Sequence, residues 1–283
     1  MVRRPLGNHH HGPDTFLVTS DTTRTQGTQR TQQVAADAEN ETGNETGAEA
    51  GTGAADLRES ITRARVVLWD FDGPICRLFA GYSAEGVADG LVEWLEGRGL
   101  HHLLTESERA SLDPHVVLRA VDRRRPGSDL VAELEERLTQ EELKATSSAM
   151  PTAYADPLIR TLTALGKRLA ITTNNSPRVV ASYLATRGLT SCFAPHVYGR
   201  TQQLRHLKPH PHCLNLALRA TGSAPGTALM IGDTPSDFLA ARDAGVPFLG
   251  YARNERKAKL LRGAGATQVV HSLEPVLTAI RSL

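Results

Sequence analysis

Arg65-Val66-Val67-Leu68-Trp69-Asp70-Phe71-Asp72-Gly73 is the stretch on which the fold turns. Four consecutive apolar residues run straight into two carboxylates and a glycine. Such a run suits a strand buried on both faces of a parallel sheet, although periodicity alone leaves a buried helix segment open. The Gly73-Pro74 pair closes it. Order is expected to begin just upstream, near Ile61.

Similar runs recur downstream at residues 167–174 (KRLAITTN), 228–233 (ALMIGD) and 246–250 (VPFLG), with a weaker one at 267–270. Helical patterns lie between them. One follows Ser176 as a cap and Pro177 at the first turn and stops at Gly188; others cover about 210–221 and 236–244, each stopped by glycine. Alternation at this spacing predicts an α/β fold, a Rossmann-like parallel sheet covered by helices on both faces. Residues 83–150 contain no convincing strand. An amphipathic helix over 85–96, a helix over 104–121 interrupted near Pro114, and another over 129–143 make this stretch an inserted helical cap. The core is then 61–82 joined to 151–283.

Residues 1–60 are set apart by composition. From Thr19 to Ala55 the chain is mostly Thr, Gln, Glu, Gly, Asn and Ala, with no aromatic residue. Such a stretch buries too little apolar surface to offset the entropy of ordering it, so a disordered tail is expected. Across all 283 residues, 32 basic side chains face 31 acidic ones, which gives no electrostatic footprint for nucleic acid. No apolar run approaches the roughly 20 residues that cross a bilayer, and the first residues lack the apolar stretch of a secretory leader. Cys76, Cys192 and Cys213 have no metal-ligand spacing and read as thiols in a reducing compartment. A cytoplasmic protein with no membrane association is expected.

The polar residues collect at one place. Asp70 and Asp72 end the first strand, Thr173 and Asn174 the second, and Asp233 the third, with Asp237 four residues later. Ligands of parallel sheets bind beyond these carboxyl ends. Several carboxylates gathered there repel one another unless a cation lies between them, and a hard divalent ion such as magnesium suits oxygen ligands. Helix capping alone could account for Asp233 or Asp237, but not for Asp70 and Asp72 on the tip of an apolar strand. One of that pair can attack phosphorus while the other handles the proton of the leaving oxygen. Lys208, in Leu207-Lys208-Pro209-His210-Pro211, supplies positive charge between the second and third strands.

Asp70-Phe71-Asp72-Gly73-Pro74-Ile75, Thr173-Asn174, Lys208-Pro209 and Gly232-Asp233-Thr234-Pro235-Ser236-Asp237 resemble the four motifs of the haloacid dehalogenase superfamily, in its phosphoglycolate-phosphatase-like branch. The resemblance covers about 65–283. It implies a magnesium-dependent hydrolase of small phosphate monoesters that works through an aspartyl-phosphate. Asp70 would be nucleophile and metal ligand, and Asp72 the general acid and base with its carbonyl toward the ion. Thr173 would hold the phosphoryl group, Lys208 would steady phosphate and nucleophile, and Asp233 would bind magnesium with Asp237 near it. Pro74 departs from the threonine common at that position, which removes a hydroxyl and a backbone donor.

Gly73 and Asn174 join the expected phosphate-binding groups, and Arg77 in the loop after the first motif could meet a second anionic group. Phe79 and Tyr82 could contact substrate or dock the cap. The run Arg123-Arg124-Arg125 reads as a solvated linker face or as an attractor of anionic substrate. A phosphomutase or phosphotransferase on the same scaffold stays open, as does a non-catalytic binding protein. The expected partner is a small phosphorylated metabolite; its identity and any protein partner are not set by these motifs.

Overall fold

The computed structural model describes residues 56–281. In chain order its strands are β1 (Val66–Trp69), β2 (Cys76–Arg77), β3 (Met150–Pro151), β4 (Arg168–Thr172), β5 (Val197–Tyr198), β6 (Ala228–Gly232), β7 (Phe248–Tyr251) and β8 (Val269–Val270). Six of them form one parallel sheet in the order β5-β4-β1-β6-β7-β8. β1 lies at its centre, with Trp69 level with Ile171 on one side and Ile231 on the other. The residue that follows β1 is Asp70, so register alone puts that carboxylate beside the ends of β4 and β6.

β1 is completely buried because both faces of the sheet are covered. Val67 and Trp69 enter one apolar cluster, with Ile171, Ile231 and Leu158; Val66 and Leu68 enter the opposite one, with Leu214 and Met230. This is the period-two alternation of a strand, with each face served by its own helices. The expected tail reached residue 60, yet the chain is helical over 56–63. Leu57 and Ile61, four apart and only 7% and 2% exposed, seat this turn against the core. Residues 1–55 of that expected tail, including the histidines at positions 9–11, lie outside the described residues. Among the described residues no helix is long and apolar enough to cross a membrane.

The cap is built on helices Ala84–Glu96, Pro114–Arg124 and Asp129–Ala145, which share a core of Leu91, Leu95, Leu118, Val121, Leu134 and Leu138. The helix expected over 104–121 is instead two. Thr105 and Glu108 form a reciprocal capping box around the short turn Glu106–Arg109, and Asp113 then caps a fresh helix with Pro114 in its first turn. β2 and β3, which the sequence did not reveal, pair antiparallel where the chain leaves and re-enters the core. Tyr82 donates to Glu141 at 2.5 Å, so its hydroxyl serves cap docking.

Two arginines of the basic run are engaged within the cap. Arg123 and Arg124 both bind Glu108, at 2.6 and 3.0 Å. Burial pushes the Glu108 carboxyl up, but the Thr105 N–H and hydrogen bonds from Arg124 and Arg123 outweigh it and hold it at about 2. A depressed carboxyl contributes stability above its ordinary value, lost as pH falls toward the folded one. Glu108→Gln is therefore expected to lower the melting temperature at pH 6, and the gap from wild type should close between about pH 4.5 and 2. A gap that stays constant across this range would show that the carboxylate charge contributes nothing.

Candidate active site

Lys208 organises the centre. It is 1% exposed, and its ammonium donates to Asp70 Oδ1 at 2.8 Å, to the Thr172 carbonyl at 2.8 Å and to Asp237 Oδ1 at 2.5 Å. Three donors meet three acceptors, which is what makes a buried ammonium tolerable. Burial alone would lower the lysine's pKa; the charges of Asp237 and Asp70 overcome it and hold the group above its usual value. Burial pushes Asp70 up, Asp237 adds to the shift, and Lys208 draws it back to about 6.

The lysine backbone is fixed from two sides. Asn174 brackets it, accepting from the Lys208 N–H at 2.8 Å and donating to its carbonyl at 3.2 Å. Arg119 of the cap donates to the same carbonyl at 2.6 Å. The Asn174 amide thus lies on Lys208, where a direct phosphate contact had been expected. Thr173 follows β4 and is buried, its hydroxyl exchanging hydrogen bonds with Asn175.

Asp237 combines two duties. Thr234 caps the helix Pro235–Asp243, and Asp237 Oδ2 completes the capping box while accepting from the N–H groups of Asp233 and Thr234. Its other oxygen meets Lys208. Asp233 Oδ2 pairs with Lys257, whereas Asp233 Oδ1 is buried with no hydrogen-bond partner. One carboxylate oxygen each from Asp70, Asp233 and Asp237 can be chosen within 4.8 Å of one another. An orphaned buried oxygen among clustered carboxylates is a donor set that fits a hard divalent cation. The side chain of Asp72 lies outside this trio and accepts from the Leu78 N–H at 2.8 Å. Burial raises the Asp72 pKa, with that N–H and the Lys257 charge acting against it.

Gly73 is where the backbone admits nothing larger. Its φ is +129°, and a Cβ there would lie 2.3 Å from Asp233 Cγ. Beside it opens a cavity of about 270 Å³, lined by Asp72, Gly73, Arg77, Asp233, Arg253 and Lys257 among others. Arg77 is an exposed cation on the lining of this cavity.

Lys257 and Arg253, near the start of the helix Glu255–Ala264, were not found from the sequence. Their signal was available, since cations just after a parallel strand fall on the edge that holds the carboxylates. The expected side-chain cap at Ser176 is absent, and the backbone N–H of Ser176 donates to Glu142 Oε2 of the cap at 3.2 Å.

A Rossmann-like parallel sheet, an inserted helical cap and an aspartate–lysine cluster at the carboxyl edge of the central strands define a capped α/β hydrolase core. The chain belongs to the haloacid dehalogenase-like hydrolases, whose family model matches residues 25–245. It is 36% identical over 113 residues to the phosphoglycolate phosphatase of Rhodospirillum rubrum, covering 38% of this chain and 45% of that protein. It is 30% identical over 118 residues to a probable phosphatase, IndB, of Dickeya dadantii, covering 42% and 50%. The chain spans about half the length of these curated relatives. In fold it is similar to a haloacid dehalogenase-like hydrolase from Bacteroides fragilis, at 20% identity and a TM-score of 0.56 over 74% of this chain and 98% of that one. CbbY from Rhodobacter sphaeroides, solved with phosphate, gives 19% and 0.56 over 77% and 99%.

Proposed function

We propose that the chain hydrolyses a small-molecule phosphate monoester through an aspartyl-phosphate on Asp70, with magnesium as its resident ion. The observation that carries this is the Lys208 ammonium shared by Asp70, Thr172 and Asp237. It anchors the Asp70 carboxylate at the tip of the central strand, beside the partnerless oxygen of Asp233.

In the first step an Asp70 oxygen bonds to phosphorus, the ester P–O bond breaks, and Asp72 gives its proton to the leaving oxygen. Water then attacks phosphorus and yields a proton to Asp72, and the bond to Asp70 breaks to release inorganic phosphate. The upward shift of Asp72 suits a group that must hold a proton before donating it. Lys208 and the Thr173 hydroxyl bind phosphoryl oxygens, Gly73 leaves the room that the Asp233 carboxylate fills, and Asn174 serves by holding Lys208 in place. Arg77 meets the substrate from the cavity lining. Asp70, Asp233, Asp237 and the Asp72 carbonyl would hold magnesium, which neutralises charge on the transferring oxygens when bound. The cap screens the reacting centre from bulk solvent while leaving room for the one water that hydrolyses the aspartyl-phosphate.

A cavity of about 270 Å³ with three cations on its rim suits a small anionic metabolite. Incubating the full chain with a panel of phosphorylated metabolites, phosphoglycolate included, is expected to release inorganic phosphate with magnesium present. Chelation should abolish release and added magnesium should restore it. No release across the panel would overturn the proposal. Sugar-dependent transfer without net phosphate would replace it with a mutase.

A further inference from the structure

A hydrogen-bonded line runs from the cap to the hydroxyl of Thr173. Glu142, on the cap helix Asp129–Ala145, is fully buried and takes Arg200 on both oxygens, Nη1 on Oε1 at 2.8 Å and Nη2 on Oε2 at 3.0 Å. The same carboxylate accepts from Asn175 Nδ2 at 3.0 Å. Asn175 Oδ1 in turn accepts from the Thr173 hydroxyl at 3.0 Å, while the Asn175 N–H donates to Thr173 Oγ1 at 3.1 Å. An ionised carboxylate can only accept, so the amide must turn its NH2 toward Glu142 and its carbonyl toward Thr173. The hydroxyl of Thr173 is thereby oriented by a residue of the cap, two hydrogen bonds away.

We propose that Asn175 and Glu142 are positioning residues for phosphate, a role that rests on the function proposed above. Glu142 aims the Asn175 amide, and Asn175 holds Thr173 Oγ1 where a phosphoryl oxygen arrives. When the hydroxyl turns its proton from Asn175 Oδ1 to the phosphate, its oxygen stays on the Asn175 backbone N–H, which the side-chain bond from Asn175 to Glu142 holds in place. The side chains of Thr173, Asn175, Glu142 and Arg200 are all buried, so this line is shielded from water and from its screening. Docking of the cap is coupled to phosphate affinity by this route.

A double-mutant cycle tests the link. Inorganic phosphate is titrated calorimetrically into the full chain with magnesium present, for wild type, Asn175→Ala, Thr173→Val and the double variant. Each single change is expected to weaken phosphate binding roughly tenfold, the worth of one hydrogen bond in a buried site. The double variant should bind no more weakly than Thr173→Val, because Asn175 acts only through that hydroxyl. Magnesium affinity, titrated separately, should stay within about twofold throughout. Wild-type affinity in Asn175→Ala, or a second full tenfold loss in the double variant, overturns the proposal.

Phosphate binding by wild type with no effect of Thr173→Val overturns this link while leaving the Asp70 chemistry standing. No phosphate binding by wild type sinks the proposed function and the link together. Asn175→Ala leaves the Glu142–Arg200 pair intact, which favours folding. If it does not fold, Asn175→Ser is titrated in its place against the same outcomes.

Discussion

Asp70→Asn is expected to lower hydrolysis of every accepted ester by at least about 10⁴-fold, the scale on which removal of a covalent nucleophile is felt. The substitution changes little else. An asparagine oxygen can still accept from Lys208, so the ammonium keeps its three partners, and Asp237 keeps its counter-charge. Burial works against the ionised Asp70, as its raised pKa records, and a neutral amide removes that cost. The melting temperature without magnesium should therefore not fall at pH 7.5. Loss of activity with retained folding assigns the defect to chemistry. A variant that hydrolyses phosphoglycolate or any other panel member at the wild-type rate would end the aspartyl-phosphate mechanism.

Lys208→Met should do both kinds of damage. It removes the cation from between two buried carboxylates and leaves the Thr172 carbonyl without its donor. Breaking a buried pair from one side costs about 3–5 kcal/mol, most of it the penalty of the charges left behind. Hydrolysis should be lost as well, since the same ammonium neutralises phosphate and holds the nucleophile. The stability loss has a pH signature. Without the lysine the pKa of Asp70 rises further above about 6, so lowering the pH from 7.5 toward 5.5 protonates it and relieves part of the penalty. Urea unfolding of both proteins at the two pH values measures this. Equal stability at pH 7.5 would mean that Lys208 does not balance the buried carboxylates.

The parallel sheet was legible because its signals are local. An unbroken apolar run such as 66–69, ended by carboxylates and a glycine, can be seen without knowing what packs against it. The helix start at Pro177 and the stops at Gly188 and Gly222 were legible for the same reason. β5 and the β2–β3 ribbon lie in no apolar run of that kind and were missed; they exist because neighbours offer them partners. The split of the expected 104–121 helix was half visible, in Pro114, but not in the capping box that ends the turn before it.

Sequence by itself determined which polar side chains stand near the edge of the sheet: Asp70, Asp72, Thr173 and Asp233 follow strand ends, Lys208 lies in a loop, and Asp237 lies in the first turn of the next helix. Only the tertiary structure decided how their atoms are shared. It placed Lys208 between Asp70 and Asp237, put the Asn174 amide on the lysine backbone, brought Lys257 to Asp233, and tied Thr173 to the cap through Asn175 and Glu142. Strand ends follow from the rise and alternation of a few consecutive residues. Hydrogen-bond partners separated by tens of residues are chosen by burial, which leaves each polar atom to pair with whatever the packed chain brings within reach.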